Sequence, residues 1–182
     1  EYADAFVKRA AQTVVGNGVE PGVEMGPLAN ERRLPALGAL VEDARARGAE
    51  VRTGGARMSN AGYFFQPTVL VNVPDDARVM QEEPFGPLAV INPVSSLDEA
   101  IEKANSVPYG LAAYGFTNRA DYIDRMTDGV EAGNLSFNTL EASLPETPFG
   151  GVKSSGYGRE GGTEGLHNYM VVKNVSHSMT IV

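Results

Sequence analysis

The sequence predicts an α/β fold, a layered sheet with flanking helices, on three observations. Strand-like and helix-like segments alternate with short links, the pattern of α/β layers, and right-handed crossovers would make at least part of the sheet parallel. The 182 residues, 42% hydrophobic and 21% charged, suffice for one sizeable core. No apolar run approaches the roughly 20 residues that span a bilayer, and no basic segment leading into an apolar one opens the chain, so a cytoplasmic setting is expected.

The chain begins inside a helical pattern. Tyr2, Phe6, Val7, Ala10 and Val14 form an apolar stripe, with no capping residue or initiator methionine ahead of it, which reads as truncation. Residues 16–27, GNGVEPGVEMGP, are a glycine- and proline-rich loop. A second helix carries Leu34, Leu37, Leu40, Val41 and Ala44 on one face, with Pro35 in its first turn or at a kink. A short strand at 50–52 lies between turns, and 64–73 is β-rich around Pro67, whose missing N–H suits an edge or a strand start. Residues 78–87, RVMQEEPFGP, are irregular, and 88–91 are apolar enough for a buried strand.

Ser96 and Glu99 are spaced as a capping box for a helix over 97–105, which Pro108-Tyr109-Gly110 stops. A strand over 111–116 follows, then a helix capped by Asn118 that buries Ile123, Met126 and Val130, then a strand over 134–137. The tail, 169–182, alternates weakly through Met170, Val172, Val175 and Met179. A strand added after the core is complete pairs either with its own sheet or with another subunit, and both readings stand.

Charge and composition exclude several functions. The 23 acidic against 15 basic side chains argue against a nucleic-acid surface, which needs clustered Lys and Arg. Cysteine is absent, so these residues supply no disulfide, thiolate metal site or cysteine nucleophile. His167 and His177 have no companions at ligand spacing and read as surface or interface residues, and Ser154-Ser155 has no obvious partner base.

The stretch 138–160 is the most unusual. Seven of the chain's 21 glycines fall between Pro148 and Gly165, a density that favours close backbone approach. Within it, Gly156-Tyr157-Gly158-Arg159-Glu160-Gly161 matches G-x-G-x-x-G literally. It lacks the preceding strand, the βαβ unit and the acidic residue about 20 positions on that a dinucleotide fingerprint requires, so it reads as a structural turn. Lys153 and Arg159 could hold an anion or be solvated charges. Glu83 and Phe85, on a loop stiffened by Pro84 and Pro87, display a carboxylate that can accept both hydroxyls of a ribose and a ring that can pack beside a flat heterocycle. From these residues alone, a solvated acidic loop with a core phenylalanine competes with that reading.

Four blocks, GVEPGVEMGPLAN, MQEEPFGPLAVI, NSVPYGLAAYGFT and ETPFGGVKSSGYGREGG followed by Tyr-x3-Lys, together resemble the C-terminal part of the NAD(P)-dependent aldehyde dehydrogenase superfamily over essentially the whole chain. SLPETPFGGVK is most similar to the succinate-semialdehyde dehydrogenase branch. The resemblance implies a partial catalytic domain over 1–165 and a C-terminal oligomerisation arm over 166–182, making a homo-oligomer. It implies NAD or NADP as cofactor and a small aldehyde as substrate, with attack by a cysteine and a glutamate general base that both lie outside this chain.

By position, Glu83 matches the glutamate that binds the nicotinamide ribose and Phe85 the phenylalanine beside it. The loop 138–149 matches the wall of the substrate tunnel, with Phe149 in its aromatic lining. Ser143 stands where enzymes for apolar aldehydes often place phenylalanine, and its hydroxyl could bond a distal carboxylate of a semialdehyde acid. Glu141 nearby would repel such an acid unless it points away. Val171 replaces a glutamate common two residues before the lysine, here Lys173, so a known interface hydrogen bond would be missing. A non-catalytic assembly or binding module built on the same fold is the competing expectation.

Overall fold

The computed structural model describes residues 1–59 and 61–179. It divides into two compact units, Glu1–Pro93 and the residues from Val94 onward.

The first unit contains α1 (Tyr2–Ala11), α2 (Arg33–Ala46), β1 (Glu50–Thr53), β2 (Thr68–Val71), a single 3-10 turn (Arg78–Met80) and β3 (Leu88–Ile91). Its sheet has the order β1-β2-β3, with β1 antiparallel and β3 parallel to β2. All four residues of β2 are buried, as expected of a central strand covered on both faces. Pro67 sits just ahead of this strand, where its missing N–H costs no ladder bond. Pro35 falls in the first turn of α2, and the predicted face of Leu34, Leu37, Leu40, Val41 and Ala44 is buried throughout. Leu34, Leu37 and Val41 pack with Phe65, while Leu40 and Ala44 join Leu70, Val73, Ala77 and Val79. Each such Leu or Val contributes about 1.5–3 kcal/mol by leaving water. The helix α1 forms where its stripe predicts but buries no residue, and ends before Val14.

The second unit contains α3 (Leu97–Asn105), β4 (Tyr109–Gly110), β5 (Ala112–Gly115), α4 (Ala120–Gly129), β6 (Asn134–Phe137), β7 (Val152–Lys153) and α5 (Glu164–His167). Strands β5 and β6 pair in parallel with α4 between them in sequence, and β4 pairs antiparallel with β7. Ser96 Oγ accepts the Glu99 N–H at 3.1 Å, as the capping box requires. The return bond differs: the Glu99 carboxylate takes the N–H and hydroxyl of Ser95, each at 2.7 Å, because that residue offers two donors. At α4 the residue before the helix is Arg119, whose N–H goes to Thr117 Oγ1, and Asn118 is not the cap. Ile123, Met126 and Val130 are half-buried rather than buried.

No strand follows β7 among the described residues. Tyr169, Met170, Val171, Val172, Val175 and Met179 are all exposed. An extended segment makes a ladder only where another backbone offers its free groups, and among the described residues no strand forms a ladder with this one. Ile181 and Val182, part of the expected strand, lie outside the described residues.

Candidate functional site

The five site residues predicted from sequence fall on two loops, one in each unit. Glu83 and Phe85 share the loop between the 3-10 turn and β3. Its exit is fixed by the Thr68 N–H, which donates to Pro87 O at 2.7 Å where β2 and β3 begin to pair. The adjacent carboxylates Glu82 and Glu83 are separated by the fold. Arg78 takes Glu82 with Nε at 2.7 Å and Nη2 at 3.1 Å, and this pairing holds the Glu82 carboxyl below its ordinary value. Glu83 is exposed, and its carboxylate accepts no hydrogen bond among the described residues.

Phe85 has φ +43°, in the left-handed region, and its ring is 64% exposed. That backbone costs about 1–2 kcal/mol in an L-residue, so something must hold it. Two contacts from α2 do so. Arg33 Nη2 donates to Pro84 O at 2.5 Å, and the same guanidinium lies 5.5 Å from the centre of the Phe85 ring. Gly86 sits so close to Leu37 that an added Cβ would overlap that side chain. The ring and the following Gly86-Pro87 wall a cleft of about 340 Å³ with Met25, Leu28 and Phe65. An unpaired carboxylate two residues from an exposed, braced ring has the acceptor and stacking chemistry of a seat for the ribose and base of a dinucleotide.

The loop 138–149 is tied at both ends. Asn138, with φ +57°, accepts the Thr117 N–H at Oδ1 (2.9 Å) and donates from Nδ2 to Thr117 O (3.0 Å), while its own N–H goes to Gly115 O at 2.8 Å. Phe149 and Glu160 exchange backbone bonds of 2.7 and 2.8 Å. Behind the loop Asn134, only 8% exposed, donates from Nδ2 to both Leu111 O (2.7 Å) and Gly150 O (3.0 Å). The backbones of Gly133 and Gly150 cross so closely that a Cβ on Gly133 would land on Gly150 O, which accounts for two of the glycines.

On this frame Ser143 is exposed and its hydroxyl has no partner among the described residues. Phe149 is half-buried. Glu141 is held by its backbone, with N–H to Thr139 Oγ1 at 3.1 Å and its carbonyl accepting from Ser136 Oγ at 2.8 Å. It lines a cleft of about 390 Å³ with Ser136, Thr139, Leu144 and Pro148, to which neither Ser143 nor Phe149 contributes.

Lys153 and Arg159 serve the fold. Lys153 Nζ pairs with Glu131 and reaches the carbonyls of Asn105 and Val107 at 3.3 Å, and Arg159 Nη1 donates to Gly151 O (3.0 Å) and Gly158 O (2.7 Å). The glycine motif at 156–161 is a turn after the two-residue β7, with Gly158 and Gly161 at positive φ. No group of three or more His, Cys, Asp or Glu could hold a metal among the described residues. Arg33 and Asn138 were not predicted as site-forming. Asn138 had a signal in its position between a strand and a polar loop, whereas Arg33 is 51 residues from the carbonyl it holds and had none.

Comparison with known proteins decides the family. The family model described as "Aldehyde dehydrogenase family" matches residues 1–175. The chain belongs to the aldehyde dehydrogenase family. It is 46% identical over 173 residues to a putative 4-(hydroxymethyl)benzenesulfonate dehydrogenase of Comamonas testosteroni, covering 95% of this chain and 36% of that protein. It is 40% identical over 173 residues to a probable NADP(+) succinate-semialdehyde dehydrogenase of Sinorhizobium fredii, covering 95% and 35%. Among solved aldehyde dehydrogenase structures, the succinate-semialdehyde dehydrogenase of Burkholderia pseudomallei superimposes with a TM-score of 0.90 at 39% identity, over 94% of this chain and 36% of that one. A betaine aldehyde dehydrogenase of Staphylococcus aureus, crystallised with NAD+, superimposes with a TM-score of 0.86 at 34% identity, over 93% and 35%. The chain thus spans about a third of the length of the relatives it matches. None of its described helices is long and apolar enough to cross a membrane.

Proposed function

We propose that this chain is part of a cytoplasmic NAD(P)-dependent aldehyde dehydrogenase that oxidises an aldehyde bearing an anionic group, such as succinate semialdehyde, to the carboxylic acid. The observation that carries the reading is the free Glu83 carboxylate beside the braced Phe85 ring, in a chain matched by the family model over 175 residues. Glu83 accepts hydrogen bonds from the hydroxyls of the nicotinamide ribose, and Phe85 flanks the ring, which limits the orientations the nicotinamide can take. When bound, the dinucleotide supplies the hydride acceptor.

Phe149 belongs to the apolar wall of the substrate tunnel, and Ser143 offers its unpaired hydroxyl to the far end of the substrate. Relatives named for succinate semialdehyde and for a benzenesulfonate support an anionic far end, since carboxylate and sulfonate both accept such a bond. Glu141 lines a cleft that Ser143 does not, which supports a Glu141 charge directed away from that end. Residues 1–165 form part of the catalytic domain, and 166–182 form an oligomerisation arm that pairs with another subunit, a reading supported by the exposed apolar side chains of Tyr169, Met170, Val172, Val175 and Met179.

The chain has no cysteine, so by itself it performs no thiolate attack. Two measurements test the proposal. The purified 182-residue chain should oxidise no aldehyde with NAD or NADP, whereas the full-length protein carrying it should. In that protein Glu83→Gln should weaken dinucleotide affinity about tenfold or more, the value of charge-assisted hydrogen bonds. Turnover by the chain alone, or an unchanged dissociation constant in Glu83→Gln, would overturn the reading; a full-length protein that assembles without binding dinucleotide would be an assembly module.

A further inference from the structure

We infer that Arg33 is a positioning residue for the Glu83–Phe85 loop, a role that rests on the reading of that loop as the nicotinamide-ribose seat. Arg33 opens α2 and is half-buried. Its Nε is buried with no acceptor among the described residues, and Asn30 Oδ1 close by in sequence is buried with no donor. A buried unpaired N–H is costly, so the guanidinium is not placed to satisfy its own hydrogen bonds. What its placement achieves is at the loop, where Nη2 holds Pro84 O at 2.5 Å and Cζ lies over the Phe85 ring, 5.5 Å from its centroid.

These two contacts bracket a peptide that stays in an unfavourable conformation, Phe85 at positive φ. Phenylalanine rarely adopts φ +43°, and the 64% exposed ring has little packing of its own to keep it there. Released from Arg33, the Pro84–Phe85 peptide relaxes toward negative φ, the ring swings, and Glu83 turns with it. Arg33 therefore acts on a bound dinucleotide through Phe85 and the Pro84 carbonyl. Lysine is a poor substitute, since one ammonium cannot bond the carbonyl and cover the ring face together.

The test is a set of dissociation constants for NAD+ and NADP+ in the full-length protein carrying this chain, with Arg33→Met, Arg33→Lys, Phe85→Leu and the double variant Arg33→Met/Phe85→Leu. Arg33→Met should raise the constant about tenfold and also lower kcat at saturating dinucleotide, because the released ring no longer limits the orientations of the nicotinamide. Arg33→Lys should melt like the wild type and show an intermediate loss. The double variant should be little worse than Phe85→Leu, because the arginine works through the ring. Wild-type affinity in Arg33→Lys, or losses that multiply in the double variant, would overturn the positioning role, and the lysine variant decides the matter if the methionine variant does not fold. Should the wild type bind neither dinucleotide, the reading of the seat itself falls.

Discussion

Replacing Gly86 by alanine should destabilise the first unit, although the same change elsewhere stabilises. A Cβ at residue 86 would overlap Leu37 Cδ1 and stand 3.0 and 3.1 Å from Cδ2 and Cγ, where ordinary contact begins at 3.4 Å. Leu37 is 0% exposed and packed among Leu34, Val41 and Phe65, so its displacement disturbs the core. Overpacking of this kind costs about 1–3 kcal/mol. Against it stands the entropy that alanine removes from the unfolded chain, about 0.4–1 kcal/mol. The net loss is about 1.3 kcal/mol at the middle of these ranges, which for a unit of roughly 100 residues lowers the melting temperature by about 5–10 °C. Gly38→Ala, inside α2 with nothing within 4 Å of its added Cβ, is the control and should gain about 0.5–1 kcal/mol. Thermal melts followed by circular dichroism read both. A Gly86→Ala variant that melts with or above the wild type would show that the Leu37 contact does not constrain the loop.

Asn134→Ala should cost about 1–3 kcal/mol, because the Leu111 and Gly150 carbonyls lose a donor in a buried position; urea titration checks it, and a change within about 0.5 kcal/mol would refute it. In the full-length protein, Ser143→Phe should lower kcat/KM for semialdehyde acids relative to apolar aldehydes, and unchanged selectivity would make Ser143 a mere loop residue. Acid should weaken the first unit through Asp43, whose carboxyl is held low first by the Arg78 N–H at 2.9 Å and then by Arg47. A depressed folded value means stability that is present above about pH 3.9, the unfolded value, and is lost as the pH falls through the lower folded one. Asp43→Asn should flatten that part of the melting-temperature profile, and an identical profile would exclude Asp43 as its source.

Elements organised by local periodicity were legible in the sequence. The buried face of α2 and the helix started by Ser96 needed only spacing and a cap, and β3 needed only a short apolar run. What failed depended on partners. The α1 stripe forms a helix yet buries nothing, since a stripe states which face could pack and not what meets it. Asn118 has capping chemistry, but Thr117 Oγ1 already holds the Arg119 N–H. Glu83 was singled out by the proline that follows it, but that Arg78 pairs with Glu82 and leaves Glu83 free was not read from the sequence. The brace on Phe85 was further out of reach, since it joins residues 33 and 84 across two strands and a loop.

Every buried apolar side chain among the described residues lies between Leu34 and Val79. On a ribosome, where the chain emerges from its N-terminal side, this has a temporal meaning. The first unit can close its core while the second is still being added. The second, once folded, holds Ile101, Met126 and Phe137 only half-buried, along an apolar cleft of about 170 Å³. In that interval a protease or a chaperone should find the residues after Pro93 first, so the life of the nascent protein depends on how soon another surface covers them.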